Sequence, residues 1–201
     1  MQIILVGASG TIGSAIDDAL SPTHDLVRVG RNSGDVHADL SDPTSIQALY
    51  NDVGPFDAVV SAAGNAAFNP LRELSDDDFD LSLSSKLMGQ VNLVRYGLPH
   101  IRTSANPSFT LVSGVLSQEP MPGSAAISMV NSGIEGFARA AALEANDVRV
   151  NVVSPPWVSE TLEAMGEDPS DGLPAATVAN AFVDSVKGDA TGDIIDARDY
   201  A

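Results

Sequence analysis

Residues 1–20 read MQIILVGASGTIGSAIDDAL, and the fold turns on this stretch. The apolar run 3–6 (IILV) passes directly into Gly7-Ala8-Ser9-Gly10-Thr11-Ile12-Gly13, and then into a segment with helical spacing. Continuous apolarity is the mark of a strand buried on both faces. A strand, a glycine loop and a helix N-terminus together make a device for binding phosphate. Gly7 permits the tight turn, Gly10 lets backbone N–H groups approach a pyrophosphate, and Gly13 allows close packing of helix on strand. Glycine spacing alone is a weak signal. Set between a strand and a helix, the loop (Gly7, Ser9, Gly10, Thr11, Ile12, Gly13) reads as dinucleotide-binding.

Outward from this unit the chain keeps the same rhythm. Strand-like runs recur at 26–29 (LVRV), 35–38 (DVHA), 56–61 (FDAVVS), 108–113 (SFTLVS), 148–153 (VRVNVV) and 193–196 (DIID). Helical patterns fall between most of them, at 11–20, 45–53, 78–98, 126–145 and 175–187. Such alternation predicts right-handed βαβ units and an α/β fold: a Rossmann-type, doubly wound, seven-stranded parallel sheet with helices on both faces. Ser21-Pro22 and Gly54-Pro55 punctuate the pattern as turns. The segment 160–174 (ETLEAMGEDPSDGLP), acidic and rich in Gly and Pro, is the stretch best suited to be mobile.

With 201 residues and 44% hydrophobic content, the chain can bury one sizeable core, and residues 1–201 are expected to form a single nucleotide-binding domain. No run of about 18 apolar residues suggests a membrane span. The apolar N-terminus lacks a preceding basic region and reads as a folded strand rather than a signal peptide, so a cytoplasmic location is the default expectation. The absence of cysteine excludes disulfides and thiolate metal sites. Asp+Glu number 27 against Lys+Arg 10, a net charge of -17, and only Lys86 and Lys187 are lysines. A field of that sign opposes nucleic acids and anionic membranes. It fits a solvated acidic surface, and also adaptation to high salt, where screening removes the self-repulsion.

The second strand ends at Val29-Gly30-Arg31-Asn32-Ser33. Proteins that select NAD place an Asp or Glu at this strand end to hold the ribose 2′-hydroxyl. None stands here; Arg31, with Asn32 and Ser33 beside it, offers a fork suited to phosphate oxygens, which favours NADP(H) over NAD(H). Asp39-Leu40 and Ser61-Ala62-Ala63-Gly64 follow the next two strands, at the ends that face a cofactor cleft.

GASGTIG, GRNS, ADL, SAAG, the Pro122-Gly123 step before a helix, and NVVSPPWVSET occur in the order and spacing that resemble the short-chain dehydrogenase/reductase family over essentially the whole chain. Members bind NAD(P)(H) and move hydride to or from a carbonyl or alcohol carbon. The resemblance implies that Asp39 and Leu40 flank the adenine and that Ala62, Ala63 and Gly64 line the cofactor. It also places Val158 beside the nicotinamide, with Ser159 or Thr161 near the carboxamide. The middle glycine of the loop stands one place early, leaving Thr11 where the family commonly has glycine. A small-molecule substrate and a homodimer or homotetramer are the corresponding expectations.

The family's chemistry rests on Asn, Ser, Tyr and Lys, and the resemblance places something else at each. Ile127 stands at the Tyr position, Asn131 at the Lys position, Gly114 at the Ser position with Ser113 just before it, and Lys86 where Asn is expected. Lysine and asparagine have in effect exchanged places. An amine and an amide facing one cleft could still hold the nicotinamide ribose and a substrate oxygen, with Lys86 and Ser113 polarising that oxygen and Asn131 assisting. The alternative is a non-catalytic NADP(H)-binding sensor or interaction protein. His24, His37 and His100 have no partners at metal-ligand spacing, so no metal site is expected. The aspartates at 76–78 suit a helix N-terminus. Trp157, the only tryptophan, fits a core anchor and a substrate-pocket wall equally well.

Overall fold

The structure is a computed structural model and describes residues 1–103 and 106–201. Strands β1 (Gln2–Val6), β2 (Asp25–Gly30), β3 (Val36–His37), β4 (Ala58–Ser61), β5 (Ser108–Val112), β6 (Arg149–Ser154) and β7 (Ile194–Asp196) form a seven-stranded sheet in the order β3-β2-β1-β4-β5-β6-β7. Every pairing is parallel. The chain builds outward from β1 to β3 and then crosses back to lay β4 on the other side of β1. The crevice at the C-terminal ends of β1 and β4 is therefore the switch point where such sheets bind ligands.

Helices α1 (Thr11–Leu20), α2 (Pro43–Val53), α3 (Asp76–Leu81), α4 (Gly89–Gly97), α5 (Ala125–Glu144), α6 (Ser159–Met165) and α7 (Ala175–Lys187) cover the sheet. The period of two in β1 sorts them. Ile4 and Val6 pack with Ile46, Leu49 and Tyr50 of α2, Leu93 and Val94 of α4, and Ile134 and Ala138 of α5. Ile3 and Leu5 point the other way, onto Ile16 and Leu20 of α1 and Val178, Phe182 and Val186 of α7. Burial of each large side chain contributes roughly 2 kcal/mol, so apolar residues at consecutive positions of β1 hold both layers in place.

Two local features differ from the periodicity. The helix expected over 78–98 starts at Asp76, where Ser75 and Asp78 form a reciprocal cap, and it opens into a π-helical segment over Ser82–Met88. The serines account for the opening. Ser82 Oγ donates to the Asp78 carbonyl (2.7 Å) and Ser84 Oγ to the Asp80 carbonyl (2.6 Å), which competes with the regular ladder. Ser82 Oγ also accepts from the Ala67 N–H and Ser85 Oγ from the Asn65 N–H, tying the loop after β4 to this segment. The stretch 160–174 is not an irregular loop: it holds α6 and a 3₁₀ turn, Pro169–Asp171, and the Glu160 carboxylate accepts the Ala175 N–H at the start of α7.

β5 runs past the end of β4, whose last pairing is Val60 with Thr110. The exposed backbone edge of Val112 is taken over by the Gln90 side chain of α4, which donates to the Val112 carbonyl (2.7 Å) and accepts its N–H (2.8 Å). That buried amide fixes the strand end from which Ser113 and Gly114 project.

Candidate active site

A cavity of about 310 Å³ opens at the switch point, lined by the glycine loop (Gly7, Ser9, Gly10), the end of β2 (Gly30, Arg31), Ala38 and Leu40, Ala62 to Asn65, and Ser85. Its floor is built by close approach. A Cβ on Gly7, whose φ is +85°, would meet the Ala62 carbonyl oxygen at 2.9 Å, and one on Gly13 would lie 1.9 Å from the Gly7 carbonyl oxygen. Only glycine permits the loop to seat against both β4 and α1. Gly10 stands at the N-cap of α1 with no capping side chain, and no acidic residue occupies the first turn, where Thr11 and Ile12 lie. The amides and positive dipole end of α1 are thus left for an anion, so the residues present fit a dinucleotide phosphate.

At the β2 end, Arg31 reaches Asp39 (3.2 Å), both of them partly exposed. Asp39 also accepts from the Ser41 hydroxyl (2.6 Å) and the Ser41 N–H, and these bonds, with Arg31 adding to them, hold its carboxyl below the usual range. Ser33 Oγ bonds to Ser9 Oγ (3.1 Å), joining the β2 loop to the glycine loop, while Asn32 is exposed beside it. Among the described residues, Arg31 is the only charged one lining the cavity.

A second cavity, about 150 Å³, is lined by Ser113, Gly114, Val115, Leu116, Ile127, Asn131, Pro155, Pro156 and Trp157. The fold therefore brings Ser113, Asn131 and Ile127 together. Lys86 lines neither cavity. It sits behind Gly64: a Cβ on that glycine would lie 2.9 Å from the Lys86 Cα. Lys86 is 8% exposed. It has no hydrogen-bond or ion-pair partner among the described residues, and burial pushes its pKa down to about 8. Val158, Ser159 and Thr161 lie just past β6 at the start of α6, where the Ser159 N–H donates to Leu173 and the Thr161 N–H to Val158; they too line neither cavity.

Asn131 donates Nδ2 to the Gly114 carbonyl (3.4 Å), and its Oδ1 is buried without a partner among the described residues. The amide orientation is forced, because a carbonyl can only accept. Trp157 lines the smaller cavity and is also anchored by packing: its ring meets Phe68 edge-on at 5.9 Å, and Phe68 in turn covers Gly123.

Sequence reasoning missed Glu135. It is 4% exposed on α5, and its Oε1 accepts from Ser113 Oγ (3.0 Å) and Ser117 Oγ (2.6 Å). The signal was available in the spacing, since Ile127, Asn131 and Glu135 recur every four residues and so share one helix face. Ser85 and Asn65 were also missed, because the π-helical segment that turns Ser85 toward the cavity has no periodic signature. Among the described residues, no group of three or more His, Asp or Glu is placed to hold a metal ion, and no helix is long and apolar enough to cross a membrane.

Comparison with known proteins extends this geometry. A family model described as enoyl-(acyl carrier protein) reductase matches residues 9–191. Hydroxynaphthalene reductase arp2 of Aspergillus fumigatus is 28% identical over 170 residues, covering 81% of this chain and 62% of that protein. The 3-oxoacyl-[acyl-carrier-protein] reductase FabG of Staphylococcus aureus is 24% identical over 146 residues, 69% of this chain and 59% of that one. The chain spans about three fifths of the length of these relatives. Among solved structures, protein lin1944 of Listeria innocua is 39% identical with a TM-score of 0.92, each chain covered to 98%. A small-chain dehydrogenase in complex with NADPH has the same fold at 22% identity, TM-score 0.86, covering 98% of this chain and 95% of its own.

Proposed function

Because the chain belongs to the short-chain dehydrogenase/reductase family, we propose that it is an NADP(H)-dependent oxidoreductase. It acts on a small carbonyl or alcohol compound through a non-standard active site. The observation that carries the cofactor reading is Arg31: in a chain of net charge -17, the one charged residue among the described residues lining the larger cavity is a cation at the end of β2. The glycine loop and the amides at the start of α1 hold the pyrophosphate. Arg31 turns from Asp39 to the 2′-phosphate, a doubly charged partner that outcompetes a partly exposed carboxylate. Asp39 and Leu40 border the adenine, Ala62 to Gly64 the adjoining ribose, and Val158, Ser159 and Thr161 the nicotinamide end.

When bound, the nicotinamide exchanges hydride with a carbonyl-type carbon. Ser113 and Asn131 contact the substrate oxygen in the smaller cavity, with Trp157 and Ile127 shaping its apolar wall. Lys86, buried and unpaired behind Gly64, serves the junction between cofactor and substrate as a proton store with a pKa of about 8. Residues 1–201 act as one cofactor-binding domain, cytoplasmic and assembled as a homodimer or homotetramer.

A second reading, a non-catalytic NADP(H) sensor or interaction protein, is favoured by Ile127, which lines the smaller cavity and has no proton to give. A panel of small ketones, aldehydes and alcohols, followed by NADPH absorbance with Lys86→Ala run alongside, separates the two. Turnover that falls at least tenfold in Lys86→Ala supports the enzyme. NADPH binding with no turnover across the panel supports the sensor.

A further inference from the structure

The Glu135 carboxylate, buried beneath the smaller cavity, has no part in the scheme above. Its Oε1 receives hydrogen bonds from Ser113 (3.0 Å) and Ser117 (2.6 Å), and its Oε2 lies 3.8 Å from the Arg139 guanidinium. A carboxylate only accepts, and a serine hydroxyl has a single hydrogen. Ser113 therefore spends its hydrogen on Glu135 and leaves only lone pairs for the cavity it lines. The neighbouring Asn131 amide gives one of its two Nδ2 hydrogens to Gly114, and its Oδ1 is likewise an acceptor. Val115, Leu116, Ile127, Pro155, Pro156 and Trp157 make the rest of the wall apolar.

We propose that Glu135 is a positioning residue that fixes Ser113 as a hydrogen-bond acceptor. The cavity then takes the hydroxyl of a small apolar alcohol in preference to the carbonyl of the matching ketone. This rests on the oxidoreductase reading for its redox step, which balances as follows. The alcohol carbon gives hydride to NADP⁺, and its hydroxyl proton passes to Ser113 Oγ as the Ser113 proton passes to Glu135. The C–O bond becomes a double bond, so the alcohol is oxidised, the nicotinamide is reduced, and the carboxylate becomes a carboxylic acid. Reduction runs the same relay backwards. Glu135, through Ser113, thus offers a second source, beside Lys86, for the proton that Ile127 cannot supply.

The arrangement is testable without turnover. Trp157 is the only tryptophan and lines the cavity, so the single indole N–H resonance of ¹⁵N-labelled protein reports occupancy. Cyclohexanol and cyclohexanone serve as matched probes. Wild type is expected to bind the alcohol about fivefold to tenfold more tightly, the worth of one hydrogen bond. In Glu135→Gln the new amide can donate to Ser113 and free its hydrogen, so the preference is lost or reversed. Ser113→Ala should bind both probes alike. Equal or tighter ketone binding by wild type overturns the proposal, as does an unchanged preference in Glu135→Gln or no binding of either probe. NADPH titrated into the same samples keeps the two readings apart. Alcohol preference without NADPH binding removes the oxidoreductase reading and leaves the Ser113–Glu135 arrangement standing. NADPH binding with ketone preference does the opposite.

Discussion

Gly64 lies so close to Lys86 that a Cβ on the glycine would sit 2.9 Å from the Lys86 Cα and 3.3 Å from its Cβ, with the Gly64 φ at +117°. The loop after β4 and the π-helical segment are thus in backbone contact, and this contact joins the wall of the larger cavity to the buried lysine. Gly64→Ala combines a strained φ with a clash against main chain that cannot swing away. We expect a loss of about 2 kcal/mol in unfolding free energy, together with weakened cofactor binding. Denaturant unfolding and an NADPH titration check both.

Lys86 holds an ammonium where burial disfavours it, so it should cost stability. Its folded pKa is about 8, against 10.5 for the free side chain. Between those values the unfolded chain binds the proton that the folded chain has released. Stability therefore rises with pH through this window, and the penalty is complete below it. Lys86→Met should raise stability at pH 7 by up to about 3 kcal/mol and flatten this part of the pH dependence. The same change should lower turnover at least tenfold without abolishing it, since the relay through Ser113 and Glu135 remains. Thermal unfolding from pH 7 to 10.5 on both proteins is the check.

Arg149 is expected to matter for stability and not for the site. Its guanidinium, 8% exposed at the start of β6, donates to the carbonyls of Ser185 (2.7 Å), Val186 (3.0 Å) and Ala190 (3.3 Å) and to Asn106 Oδ1 (2.7 Å). It satisfies the C-terminal carbonyls of α7 that no helical N–H can reach. Arg149→Lys cannot reproduce the fork and should cost about 3 kcal/mol. NADPH affinity measured below the new melting temperature should not change.

The charge of -17 supplies a fourth test. Exposed carboxylates repel one another across distances that salt screens, the Debye length falling to about 3 Å at 1 M. The melting temperature should climb as KCl is raised from 0.05 to 2 M. Constant stability at low salt would remove high-salt adaptation and leave a plain acidic surface.

The sheet was legible because burial on both faces writes itself into consecutive residues: Ile3 and Leu5 feed one layer, Ile4 and Val6 the other. Gly7 and Gly13 were legible because only glycine survives contacts of 2.9 and 1.9 Å. The smaller cavity was half legible. Aligned positions gave Ser113, Asn131 and Ile127, whereas Glu135 shares the helix face of Ile127 and Asn131 by spacing but gains its role from a hydrogen bond between residues 22 apart in sequence. The exchange of lysine and asparagine could not be judged from spacing. Serine side chains competing for backbone carbonyls open the helix at Lys86, and that opening decides where the lysine goes. In the stretch 160–174, composition pointed away from the helix that forms, because the Glu160 carboxylate is held by the Ala175 N–H at the start of α7, outside the segment.

The most direct measurement is a competition titration of NADPH against NADH on wild type and Arg31→Ala. An arginine fork on the 2′-phosphate is worth roughly 1.5–3 kcal/mol, or about tenfold to a hundredfold in affinity. Wild type should prefer NADPH by that margin, and Arg31→Ala should lose the preference with NADH affinity unchanged. Equal or tighter binding of NADH by wild type would contradict the account.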